Sequence, residues 1–422
     1  MTRFRIYSAK IKKLIGTLGP GIITGASDDD PSGIATYSQA GAQFGLATLW
    51  TALITFPLMA TIQGMCARIG VITSQGLTVT LKQHYSKTLL YIMLLFSFPA
   101  ITLNIGADIQ GMGAVANMIF PSIPVSVFCL VFTAILMFVI IQYPYQKIAM
   151  ILKWLCLSLL MYTIVPFMVK QNWGAIAKNT FIPDIKFNKD YISIIVAILG
   201  TTISPYLFFW QATMEAEDIS HNEKKVVVDK KLLGNMKTDI NSGMLLSNLV
   251  MFFILLTTGS VLFPAGITQI DTVDQAAKAL EPLTGKFTYL IFAFGVVGTG
   301  LLAIPVLAGS QSYMLAETFG WQEGLDKKFS QAKPFYVSII ISLLVGLSLN
   351  FFGVSAVKAL LYTAISYGLT APVLIAIILH IGNNKKIMGE NTNSKLSNIL
   401  GFITLLLMTV AAVALVYFLF IS

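Results

Sequence analysis

Apolar runs of about 20 residues recur from one end of this chain to the other, each long enough to cross a hydrocarbon layer roughly 30 Å thick. Nothing else in the sequence constrains the fold as strongly. Backbone in lipid has no water to bond, so it spans only as a helix or a closed barrel. Barrel strands would be about half as long and would alternate in polarity. Only 11% of the 422 residues are charged, against about a quarter in soluble domains. The expected class is an all-α polytopic membrane protein: a single transmembrane domain over residues 1–422, with the lipid bilayer as its surroundings.

Apolar runs read against polar breaks give about eleven spans. They lie near 13–43 (interrupted), 46–69, 88–118, 124–142, 148–169, 191–218 (interrupted), 238–263, 286–316, 335–352, 355–381 and 397–421. The third and eighth are longer than the bilayer is thick, which implies tilt or extension into water. The opening MTRFRIYSAKIKKLIGTLGPGIITGAS imitates a signal peptide. It is read as an uncleaved first span, because cleavage there would leave three aspartates as a purposeless end.

With a cytoplasmic N-terminus, 21 of the 28 Lys and Arg fall on the cytoplasmic side. That bias orients the chain in the cell membrane, N-terminus inside and C-terminus outside. It also accounts for the net charge of +9 without nucleic acid as a partner. EAEDISHNEKKVVVDKK reads as a solvated charge run. Cys66, Cys129 and Cys156 lie in different apolar runs without a C-x-x-C and read as small buried hydrophobes. His84, His221 and His380 fall near cytoplasmic loops and read as surface residues. Oligomeric state is not legible.

One stretch resists the apolar pattern. SDDDPSG, residues 27–33, places three carboxylates and a proline in the middle of the first span. Pro31 lacks an N–H and disfavours helix at Asp30, and Gly33 permits a sharp turn. The sixth span is broken likewise at GTTISPY, Gly200–Tyr206. Two broken spans five apart fit two inverted repeats, about 13–169 and 191–381, followed by an extra helix at about 397–421. Such breaks mark transport sites at a repeat interface.

Charge at mid-membrane costs a few kcal/mol per residue even on lenient scales, and no Lys or Arg lies at comparable depth. The missing counter-charge is most simply a cation. The carboxylates of Asp28, Asp29 and Asp30, the backbone carbonyls around Thr201 to Ile203 and the hydroxyls of Thr201, Thr202 and Ser204 suit a hard divalent ion such as Mg²⁺ or Mn²⁺. No Cys, Met or His lies in either break. Asp28, Asp29, Ser32, Asp108, Tyr206 and Gln211 are expected around the site or along the ion path. Asn104 lies one turn before Asp108, and Gln39/Gln43 and Gln211/Glu215 are i, i+4 pairs running from the breaks toward water. Tyr362, Thr363, Ser366, Tyr367 and Thr370 make the tenth span unusually polar, as a helix flanking a cavity would be.

GPGIITGASDDDPSGIATYSQAGAQFG resembles the first helix of the Nramp divalent-metal transporters, marked by Asp-Pro-Gly-Asn and then Gly-Ala-Gln-Phe-Gly. The resemblance runs through the whole chain and implies the LeuT-type fold: two inverted five-helix repeats plus an eleventh helix. It implies a transporter, not an enzyme, with a divalent cation as substrate and no resident cofactor. The family's metal-binding Asp corresponds to Asp30, but its Asn corresponds to Gly33. Its sixth-helix Ala-x-x-Met-Pro-His reads Thr201-Thr-Ile-Ser204-Pro205-Tyr206, so the methionine is Ser204 and the histidine Tyr206. A second histidine is Gln211; Asp108 matches a family aspartate, and the glutamate near it is Gly111. Asp-Pro-Ser-Gly with no sixth-helix methionine is similar to the Nramp-related magnesium transporters. Mg²⁺ keeps several waters, and the smaller side chains leave room for them.

The expectation is therefore alternating-access transport of Mg²⁺, with Mn²⁺ next, without proton coupling, since no His lies at membrane depth. Two other readings use the same residues. In one, a LeuT-type carrier pairs Asp30 with the amine of an amino acid or organic cation. In the other, Asp30 and Asp108 form an intramembrane aspartyl hydrolase, though neither sits in a Tyr-Asp or Gly-x-Gly-Asp context.

Overall fold

The computed structural model describes residues 19–144, 147, 161–221, 229–284 and 288–421, and no strand occurs among them. The first interrupted span is two helices, α1 (Pro20–Asp28) and α2 (Pro31–Phe44). There follow α3 (Trp50–Thr73), a short α4 (Leu77–His84), α5 (Lys87–Ile119), α6 (Val125–Gln142), α7 (Met161–Met168) and α8 (Trp173–Phe181). The second interrupted span is α9 (Lys189–Thr202) and α10 (Pro205–His221). Beyond α11 (Lys230–Val261) come two short helices, α12 (Val273–Ala277) and α13 (Glu281–Thr284). The chain ends with α14 (Thr288–Phe319), α15 (Lys333–Leu349), α16 (Ala356–Asn383), the short α17 (Lys385–Met388) and α18 (Lys395–Ile421).

Among the described residues eight helices, counting α9 and α10 as one, are long and apolar enough to cross a membrane, and α15 is slightly shorter at 17 residues. The start of the expected first span, most of the expected fifth and Cys156 lie outside the described residues. Cys66 and Cys129 are buried and unbonded to other cysteines, as small hydrophobes should be.

The prolines at the breaks start helices instead of wrecking them. Pro31 opens α2 and Pro205 opens α10, the first-turn position where the missing N–H would have no partner anyway. The non-helical gaps are consequently narrower than expected, only Asp29–Asp30 and Ile203–Ser204. Asp29 (φ −85°, ψ 50°) and Ile203 (φ −112°, ψ 59°) leave the helix in closely similar geometry. The two breaks are one local design used twice.

Small residues let the broken helices approach their neighbours closely, the usual basis of helix association in lipid. A side chain on Gly25 would overlap the backbone of Gly243 in α11, and one on Gly243 would overlap the carbonyl of Gly21. Gly200 of α9 meets the backbone of Ala364 and Gly368 in α16 in the same way. The N-terminus of α1 has no side-chain cap of its own. Asp239 of α11 supplies one, accepting from the Gly19 N–H at 2.9 Å and the Gly21 N–H at 2.7 Å. The lipid-facing surface is apolar and includes Phe138 of α6 and Leu406 of α18.

Between α14 and α15, burial pushes the Glu323 carboxyl up to about 9, helped by Glu317 and Glu217 and opposed by Lys327. The folded chain therefore holds this proton more tightly than an unfolded chain, whose glutamate releases it near pH 4. Stability from this group is greatest in acid and falls as pH rises from about 4 toward 9. Glu323→Gln is expected to flatten that fall; a melting curve whose pH dependence is unchanged in the variant would contradict this.

Candidate metal site at the paired helix breaks

Asp30 caps α2. Its backbone is extended, and Oδ1 accepts the Gly33 N–H at 2.7 Å, satisfying one of the free donors of a helix start. Oδ2 accepts from the Asn104 side-chain amide of α5 at 2.8 Å. The residue is 2% exposed. Both of its bonds are to neutral groups, so they orient the carboxylate and leave its negative charge in place.

The other two aspartates turn elsewhere. The Ser247 hydroxyl of α11 reaches Asp28 Oδ2 at 2.8 Å and Asp29 Oδ1 at 3.3 Å. Asp28 Oδ1 is buried without a hydrogen-bond partner. Among the described residues, no three His, Cys, Asp or Glu side chains converge as a ready ligand set. The triple aspartate is thus one inward carboxylate and two directed at α11.

The second break abuts the first. A side chain on Gly33 would stand 3.4 Å from Thr201 Oγ1 and 3.3 Å from the Asp28 carbonyl. Tyr206 donates its hydroxyl to the Ser27 carbonyl at 2.9 Å, tying α10 to the end of α1. Ser204 turns its hydroxyl back on its own chain, 2.5 Å from the Thr201 carbonyl and 3.2 Å from that of Gly200. The Thr201 carbonyl expected at the site is therefore already engaged by one bond. Gly33, whose N–H donates to Asp30, contributes space more than an oxygen.

Asp108 lies one turn from Asn104 in α5 and is fully buried. Ser32 bonds to α16 through the Leu360 carbonyl at 2.9 Å and the Thr363 hydroxyl at 3.2 Å. The Tyr367 ring lies 5.8 Å from that of Tyr206. The rest of the polar tenth span does not face the site: Tyr362 is exposed, and Ser366 and Thr370 bond to their own helix.

Gln211 lies on the other flank, accepting from Thr24 of α1 at 2.5 Å and donating to Glu215 at 2.9 Å. Gln39 accepts from the Ile270 N–H at 2.8 Å and meets Gln43 at 3.2 Å. It ties the α11–α12 connection to α2 beside a cavity of about 280 Å³ that Asp190, Asp271 and Lys358 also line. Of the histidines, His84 and His380 are exposed at helix ends, and His380 bonds Tyr85 at 2.6 Å. Sequence reasoning missed Ser247 and treated Asn104 only as a neighbour of Asp108. The signal for the first was present: Ser247-Asn248 interrupts an otherwise apolar MLLSNLVMF.

Comparison with known proteins resolves the wider architecture. The model of the Nramp family (natural resistance-associated macrophage protein-like) matches residues 21–418. The chain belongs to the Nramp family. A similar relative is the "Divalent metal cation transporter MntH" of Caldanaerobacter subterraneus, 24% identical and covering 93% of this chain and 90% of its own length. Among solved structures, the Eremococcus coleocola manganese transporter superposes with TM-score 0.74 at 16% identity, over 96% of this chain and 87% of that one. Mhp1, a nucleobase-cation-symport-1 family transporter in a closed conformation, superposes with TM-score 0.55 at 13% identity, over 95% and 92%. The fold is the LeuT type that the Nramp resemblance implied, with two inverted five-helix repeats and an eleventh helix.

Proposed function

We propose that this Nramp-family chain transports divalent metal cations, Mg²⁺ first and Mn²⁺ next, by alternating access about the two helix breaks. One observation carries the reading: Asp30 is a buried carboxylate at the first break, oriented by neutral donors, with no basic side chain in its bonding sphere among the described residues. The names of the relatives point to the same substrate class, since one is called a divalent metal cation transporter and another a manganese transporter. Asp30 ligates the ion directly. Asp108, fully buried one turn from Asn104 in α5, supplies a second carboxyl near the path. The hydroxyl of Ser204 and the carbonyls of Thr201 and Ile203 complete the oxygen lining, directly or through retained water. Two carboxylates and water match the way Mg²⁺ is usually held. Asp28 and Asp29 add negative potential from beside α11.

The inverted repeats run over about 13–169 and 191–381, and the N-terminus faces the cytoplasm as the Lys and Arg bias requires. Transport proceeds without proton coupling, because the positions of the family's titrating histidines hold Tyr206 and Gln211. Uptake into proteoliposomes of Mg²⁺, Mn²⁺ and Ca²⁺, at two pH values, tests ion class and coupling together. No uptake of any divalent ion would end the reading.

Selectivity offers a sharper test. A soft thioether favours transition metals over Mg²⁺, and Ser204→Met places one beside the breaks. The expected outcome is a preference shifted toward Mn²⁺, Fe²⁺ or Cd²⁺, by roughly tenfold relative to Mg²⁺. An unshifted preference in competition uptake removes Ser204 from the site.

A further inference from the structure

A groove of about 430 Å³ opens between α3, α11 and α18, away from the helix breaks. Its wall is apolar, with Phe56 and Ala60 from α3, Ile240 from α11 and Leu400 from α18. Gly64 adds depth, because a side chain there would meet no atom within 4 Å. At one end the groove becomes basic, with Arg68 of α3 and Lys237 of α11 both lining it. Arg68 sits five residues, about 8 Å, inside the end of α3.

Arg68 has the wrong surroundings for a structural ion pair. Among the described residues its Nε is buried without a hydrogen-bond partner, and its one bond is a long 3.5 Å contact from Nη1 to the Thr392 carbonyl. A half-buried guanidinium has five donors arranged for a planar anion. Left unpaired at a membrane boundary it is costly, and an anion in the groove removes that cost. The adjoining start of α18, at Lys395, adds the positive end of a 27-residue helix dipole. Ser394 and Ser397 line the same end as hydroxyl donors.

We infer that this groove binds an anionic phospholipid, its phosphate on Arg68 and Lys237 and an acyl chain along the apolar wall past Gly64. A basic notch continuous with an apolar channel fits one molecule that carries both chemistries. In the proposed orientation that molecule belongs to the cytoplasmic leaflet, where basic pockets between helices hold such headgroups.

The test is native mass spectrometry of the full-length protein released from vesicles of equal phosphatidylglycerol and phosphatidylcholine. The wild type is expected to retain phosphatidylglycerol preferentially. Arg68→Gln and Lys237→Gln should each lower that retention about fivefold. Gly64→Leu fills the groove while keeping both charges, and should lower it as well; it also covers the case in which Arg68→Gln fails to fold. Equal retention of the two lipids by the wild type would overturn the inference. So would a loss in Arg68→Gln with none in Gly64→Leu, since surface charge alone would then hold the lipid. Thermal protection by inorganic phosphate equal to that by phosphatidylglycerol would point to a bare anion site and overturn it too.

Discussion

Replacing Asp30 by asparagine is expected to abolish divalent-metal uptake while the protein still folds. The two consequences separate because the side chain does two jobs. As a cap it offers one oxygen to the Gly33 N–H, and asparagine caps a helix about as well as aspartate. Its other oxygen accepts from Asn104, and that amide can turn over to meet a new one. The negative charge has no such substitute. Calorimetry with Mg²⁺ and Mn²⁺ should then register affinity lower by roughly 100-fold or more, the upper end of what weakened metal sites lose. Elution volume and melting temperature should stay near the wild type. Binding of wild-type strength in a folded Asp30→Asn protein would remove the central ligand from the proposal.

The second large effect is expected at Gly25, which is not itself a proposed ligand. A leucine there would occupy the space of the Gly243 backbone. Neither chain can yield by changing a rotamer, so α1 has to lift from α11. Lifting breaks the two bonds from Gly19 and Gly21 to Asp239. Overpacking of this kind costs about 1–3 kcal/mol where the structure can relax. Gly25→Leu should therefore stall transport with α1 undocked. A Thr24→Cys probe, next to Gln211 in the parent, should be alkylated roughly tenfold faster in the Gly25→Leu background. The same rate in both backgrounds would mean that α1 docking does not depend on this contact.

How much of this was readable in advance depended on whether a residue's partner was close in sequence. The spans were legible because lipid imposes length and polarity on each segment separately. The breaks were legible because proline and glycine act locally. The three aspartates stood out because no basic residue shares their depth, and the Nramp resemblance singled out Asp30 among them. The division of labour among the three aspartates was not legible. Ser247 lies 219 positions from Asp28, and only the packing of α1 on α11 makes them neighbours. The polar tenth span misled for a related reason: composition identifies a polar helix, but its rotation decides that Thr363 and Tyr367 look inward while Tyr362 does not. Ser204 was placed correctly at the break, yet its hydroxyl bonds its own helix end, an internal preference of serine that sequence weighs poorly.

Where α1 lies along α11 at Gly25 and Gly243, main chain rests on main chain. Surfaces that interlock through long side chains must unthread rotamer by rotamer before they separate. Two smooth ridges have nothing to unthread, so they can part and re-seat with little friction, and the helix end finds its two-pronged acidic dock again at Asp239. If transport runs by the proposed alternating access, a joint at this contact is made of the plainest residues in the chain.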